Sequence, residues 1–178
     1  MSCDVWGDPA LLLPLLYVPS LRKKYNLGII PHYSETSCFN MKYGNNYKII
    51  DLNTKDVKSV IDEITSCMRI VSSSLHGIIV AHAYGIPALW IQNNYIDTDG
   101  FKFYDYFSSV DIPCYEGYKN YDEIITDKTY QNTLFEKDGY CLPNCAIKDI
   151  QLNLLRAFPY PLSQEAQKLL NELEKSNK

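Results

Sequence analysis

Residues 69–92 read RIVSSSLHGIIVAHAYGIPALWIQ, two apolar runs joined by a hydroxyl-rich turn and a longer apolar segment. Few structures satisfy that order. A short, continuously apolar run suits a strand buried on both faces, and the intervening segment is long enough for a helix but not for an exposed loop. The spacing predicts a strand over 69–73, a helix over 75–85 stopped by Gly85, and a second strand over 87–92. Two more short apolar strands precede them, NLGIIPHY (26–33), which runs into a polar loop, and YKIIDL (47–52). TKDVKSVIDEITSCM (54–68) sets Val57, Val60, Ile61, Ile64 and Met68 on one helical face. Strand and helix alternate, the signature of an α/β, Rossmann-like parallel sheet flanked by helices.

The pattern changes outside that stretch. In GDPALLLPLLYV, Asp8 suits a helix cap and Pro9 the first helical position, while Pro14 shortens or kinks the helix. GFKFYDYFSSV (100–110) reads as a loop entering a short helix, residues 111–141 as loop-rich, and the chain from Pro143 as helical, closing on an amphipathic helix that begins at Ser163. A length of 178 residues suits one domain over 1–178, with a hinge or helix segment at 1–25, the βα core at 26–110 and a loop-rich, then helical, part at 111–178. Such a chain buries roughly two-thirds of its unfolded surface and needs no staples. Fifteen tyrosines suit a cleft or interface as well as half-buried strand and helix positions.

A net charge of −4 disfavours nucleic acid or an anionic membrane surface as partner, since both call for a basic footprint. The one basic cluster, Arg22 to Lys24, suits a solvated helix end. Of six cysteines, Cys141 and Cys145 form the only close pair, with no second pair and no histidine beside it, so no metal site is expected. ALLLPLLYV is preceded by acidic residues and followed by basic ones, the reverse of a secretory segment, and no run reaches membrane-spanning length. A cytoplasmic protein with reduced thiols is expected.

The turn SSSLHG lies at the carboxyl end of a parallel strand, where open α/β sheets bind ligands. The first amides of the following helix lack intrahelical partners and the dipole adds positive potential, so phosphate or carboxylate is favoured there. Gly77 removes a side chain at a close approach, and His76 falls on the first helical turn, placed to donate to an anion or to move a proton. The plainer alternative is that Ser72 to Ser74 cap the helix and His76 is an interior histidine. His82, six residues on, does not share a face with His76 and reads as structural.

GDPALLLPLLY, LGIIPHY, IVSSSLHGIIVAHAYGIPALWI and FKFYDYFSS occur in that order, and together they resemble the polysaccharide pyruvyl transferase family over about residues 5–110. The resemblance implies transfer of a pyruvyl group from phosphoenolpyruvate to a saccharide acceptor in surface-polysaccharide synthesis, with no cofactor besides that donor. It implies the donor-binding half of a GT-B-like fold of two Rossmann-like domains. Donor binding falls to Ser72, Ser73, Ser74, Leu75, His76, Gly77 and Lys102; His76, His32 and Asp105 are the acid–base candidates, acid and base unassigned. His32 also suits bonding within its own loop, Asp105 a helix cap, and Lys102 a surface position.

Members of the family run to about twice this length, and GDPALLLP near residue 8 stands where a first domain would end. A partner chain supplying that half, or self-association, is therefore expected. Two other functions share the architecture, a sugar-nucleotide glycosyltransferase domain and a non-catalytic remnant or binding subunit. An isolated second half exposes an apolar face, so light scattering at rising concentration should show association; a clean monomer with cooperative melting would count against this.

Overall fold

The computed structural model describes residues 5–19, 22–93 and 99–175. Four parallel strands, β1 (Tyr25–Ile30), β2 (Lys48–Ile49), β3 (Cys67–Ser72) and β4 (Ala88–Trp90), lie in the order β2-β1-β3-β4. Ile30 pairs with Ser72, and Ser72 with Trp90, so three strands end level at one edge. Beyond β4 a bridge between Ile91 and Tyr118 carries the pairing one residue further.

The apolar runs are buried on both faces because successive side chains alternate across the sheet. Ile30, Ile70 and Trp90 face one core, packed by α3 (Val57–Thr65), α4 (Leu75–Ala83) and α5 (Phe101–Ser109). Leu27, Ile29, Val71 and Leu89 face the other, packed by α2 (Thr36–Tyr43), α6 (Tyr121–Thr126) and α7 (Lys128–Phe135). A third, smaller cluster joins α8 (Ile147–Arg156) and α9 (Gln164–Lys175) to Leu12 and Leu15 near the N-terminus. Gln151 Nε2 donates to the Leu11 carbonyl at 2.7 Å inside that joint.

The N-terminal segment divides as its prolines require. Asp8 caps a 3₁₀ turn, Pro9–Leu12, by accepting from the Ala10 amide at 2.8 Å, and α1 (Leu13–Leu16) follows with Pro14 in its first turn.

Several expectations are corrected. The polar loop after β1 contains α2, whose only buried side chains are Phe39 and Tyr43; two apolar residues one turn apart leave too little periodicity to read. The helix over 54–68 ends at Thr65. Met68 belongs to β3 and is exposed, because main-chain pairing of Cys67 with Tyr25 starts the strand two residues earlier than its apolar run; Val57, the first residue of α3, is exposed too. The loop-rich segment 111–141 carries α6 and α7, and Asp127 caps α7 by accepting from the Thr129 and Tyr130 amides.

Gly77 lies where α4 meets the sheet. A Cβ there would stand 2.5 Å from Ser72 Oγ and 2.8 Å from Ile30 Cγ2, inside contact distance. Gly85, at φ +68°, ends the segment in a left-handed conformation. Among the described residues no helix is long and apolar enough to cross a membrane, and no three ligating side chains cluster as a metal site would need. Cys3 lies outside the described residues.

His82 is structural. Its ring is buried, Nδ1 lies 3.0 Å from Tyr106 Oη and Nε2 3.1 Å from the Cys141 carbonyl. Burial pushes its pKa down to about 4, so the ring is neutral in the fold. The unfolded chain binds this proton below about pH 6.5, so stability is full above that value and is lost as pH falls towards the folded pKa. His82 should contribute a loss on the order of 3 kcal/mol by pH 4. Urea titrations across that range should show a flatter decline in His82→Asn, itself less stable at neutral pH. Equal slopes in the two proteins would remove His82 as the cause.

Candidate functional site

The strand order creates a switch point. The chain leaves β1 for β2 on one side and then reaches β3 on the other, so the carboxyl ends of β1 and β3 open a crevice between diverging connections. Pro31 and His32 leave one strand there, and Ser73 and Ser74 leave the other.

The three serines divide. Ser72 Oγ is buried 2.8 Å from the carbonyls of both Ile30 and Ser74, and it accepts the Ser74 amide at 3.0 Å. Ser73 Oγ accepts the His32 amide at 2.9 Å and donates to Glu35 Oε2 at 2.6 Å. These two hydroxyls hold the turn. Ser74 makes no side-chain cap bond, and with Leu75 and His76 it lines a cavity of about 480 Å³ opposite Pro31, His32 and Lys102. The first-turn amides of α4, which have no partner within the helix, begin at this wall. Gly77 lies beneath, buried against the sheet.

The His76 side chain is 68% exposed, and its Nε2 stands 3.9 Å from Asp8 Oδ2. His32 Nδ1 lies 2.8 Å from Ser34 Oγ. Among the described residues Lys102 forms no ion pair. The structure thus brings His76, His32, Lys102 and Ser74 together. Asp105 belongs to an adjoining cavity of about 360 Å³, which shares Leu75 and Lys102 and is lined further by Trp6, Asp8 and Phe101. Tyr106 lies on its floor; burial, and then the Asp8 charge, push its phenol upwards, so it remains neutral.

Glu35 escaped the sequence reading. It is 2% exposed, and its Oε1 finds no hydrogen-bond partner among the described residues. Its only sequence signal is an acidic residue three positions after His32 in PHYSE. The approach of Asp8 to His76 was equally hidden, since Asp8 serves a helix cap on its own segment.

A family model for polysaccharide pyruvyl transferase matches residues 7–95, which include the carboxyl ends of β1 and β3 and all of α4 but not Lys102. An uncharacterized protein of Acanthamoeba polyphaga mimivirus is 35% identical over 140 residues, covering 74% of this chain and 48% of the relative. The chain therefore spans about half the length of the curated relative it matches. No solved structure matches it significantly.

Removing Glu35 tests the tie between the two loops. Glu35→Ala leaves the buried Ser73 hydroxyl without its acceptor and should cost about 1–3 kcal/mol in urea unfolding. Glu35→Gln keeps an acceptor in place and should retain most of that stability. An alanine variant as stable as the parent would show that the tie carries no weight.

Proposed function

The chain belongs to the polysaccharide pyruvyl transferase family, and from that membership we propose that its crevice takes phosphoenolpyruvate as pyruvyl donor, with a saccharide as acceptor. Acting alone or as the donor-binding half of a larger assembly, it would serve surface-polysaccharide synthesis.

The observation that carries this reading is the convergence of His76, His32, Lys102 and the start of α4 on one cavity of about 480 Å³. Phosphoenolpyruvate carries a phosphate and a carboxylate on three carbons. Such a ligand asks for several donors of positive character within a small radius, and helix amides, the Ser74 hydroxyl, an ammonium and two imidazoles supply them. Pro31 and Leu75 provide apolar wall beside the methylene end.

The transfer needs two proton movements. A proton reaches the methylene carbon and converts it to a methyl group, leaving positive charge on the central carbon. A sugar hydroxyl adds to that carbon and gives up its proton, and the bond to phosphate breaks. A second hydroxyl adds to close the ketal, and its proton balances the one consumed at carbon; the phosphate leaves carrying the other. His76 and His32, both lining the donor cavity, are the groups for proton delivery and removal there, and Asp105 in the adjoining cavity is the acceptor-side carboxylate. Ser72 and Ser73 act through the shape of the turn, and Leu75 with Gly77 through the placement of the α4 amides.

Calorimetric titration with phosphoenolpyruvate tests the reading. The parent chain should bind, and His76→Ala and Lys102→Ala should each weaken binding by at least about tenfold, the loss of a charge-assisted hydrogen bond. Their melting temperatures should not change, because both side chains are exposed. A folded parent chain that binds no phosphoenolpyruvate, or that binds a sugar nucleotide which phosphoenolpyruvate cannot displace, would overturn it.

A further inference from the structure

The adjoining cavity has a different chemistry from the donor cavity. Two aromatic rings stand at it largely in solvent, Trp6 at 60% exposure and Phe101 at 68%. On α5 itself the contrast is internal, since Phe103 and Phe107 are inside the core while Phe101 stands in solvent. Asp8 and Asp105 bring two carboxylates against the single ammonium of Lys102. Asp105 makes no ion pair among the described residues. Ser109 Oγ donates to the Tyr106 carbonyl at 2.7 Å and keeps its acceptor capacity.

We propose that this cavity is a saccharide subsite, in which the rings of Trp6 and Phe101 pack on the C–H faces of a neutral pyranose and Asp105 accepts its hydroxyls. The inference rests on the reading of this chain as acting on a saccharide and assigns where that saccharide sits. Three physical arguments select the ligand class. A sugar ring is apolar on its faces and hydroxylated at its rim, which matches flat aromatic walls alternating with carboxylates. An excess of carboxylate over ammonium disfavours a second anion, so the cavity does not duplicate the donor's place. A volume of about 360 Å³ is within the range of small-molecule sites and holds a monosaccharide unit with an open side for further residues.

The position of the cavity supports the same assignment. Leu75 and Lys102 belong to both walls, and His76 with Asp8 stands at their border. A hydroxyl of a sugar held by Asp105 would face the donor cavity across that border without crossing solvent. In this arrangement Asp8 is a positioning residue. Its Oδ1 is committed to the Ala10 amide, and Oδ2 is the oxygen turned to His76.

The chain's two tryptophans make the subsite directly readable, because Trp90 is 2% exposed and serves as an internal reference. Acrylamide quenching of the intact chain should be measured with methyl β-D-galactopyranoside and methyl β-D-glucopyranoside at up to tens of millimolar, beside the phosphoenolpyruvate titration. At least one glycoside should protect Trp6 saturably, and Asp105→Ala should weaken that protection about tenfold at an unchanged melting temperature. Phe101→Ala should weaken it as well. No protection by either glycoside in a chain that binds phosphoenolpyruvate would overturn the subsite and leave the donor reading standing. Protection without phosphoenolpyruvate binding would support the subsite and retire the donor reading. Trp6 protection that rises with protein concentration and ignores glycoside would make this wall a contact between copies, and would also overturn the subsite.

Discussion

The contact on which the site depends is the seating of α4 against the ends of β1 and β3. Hydrogen at Gly77 is all that separates the helix backbone from Ser72 Oγ and Ile30 Cγ2. A helix this close to two parallel strands delivers its N-terminus to the switch point, where the connections diverge. Ser72, bonded to the carbonyl ending β1, locks the turn from below, and Ser73 locks it sideways through the His32 amide and Glu35. Ser74, held through its own amide and carbonyl by Ser72 Oγ, and His76, which makes none of these bonds, reach the crevice as a result.

The same constraint sorts polar residues by what burial demands of them. A buried polar group needs partners, and the structure supplies them locally for Ser72, Ser73 and His82. His76 and His82 lie six residues apart on one short helix and receive opposite fates. The first stands over the crevice in solvent, and the second is neutral and held between Tyr106 and the Cys141 carbonyl. Glu35 is the exception among the described residues, with Oε2 accepting from Ser73 and Oε1 without a partner, and it sits where the loop after β1 meets the turn before α4. Strained accounting of this kind gathers where function has first claim on geometry.

Two cavities share one wall, Leu75 and Lys102; one is lined further by His32, Ser74 and His76, the other by Trp6, Phe101, Asp8 and Asp105. The dividing wall comes from both sequence neighbourhoods that the family match covers and from α5, which lies beyond it. Lys102, in the first turn of α5, therefore joins the matched and unmatched parts of the chain at the wall the two cavities share. The β4 extension through Tyr118 and the joint made by Gln151 with Leu11 tie the remaining chain back onto this core.

The sheet and the placement of α4 were legible in the sequence because each rests on local pattern. Continuous apolar runs demand burial on both faces, a glycine after a histidine at a helix start marks a close approach, and a hydroxyl-rich turn precedes it. Other features depend on partners far along the chain. The start of β3 was set by main-chain pairing with Tyr25, forty-two residues away, and that drew Met68 out of the helix its periodicity suggested. α2 exists because Phe39 and Tyr43 meet the second core, a contact that the other six residues of the helix do not announce. The roles of Ser73 and Glu35, of Asp8 beside His76 and of Trp6 beside Phe101 follow from the packing of separate segments around one strand edge. Sequence by itself determined which segments are buried and where a helix must point, since hydrophobic periodicity and turn chemistry act over a few residues. Only the tertiary structure decided which polar side chains meet, since hydrogen bonds and cavities are formed between segments whose distance in the chain carries no record of their distance in space.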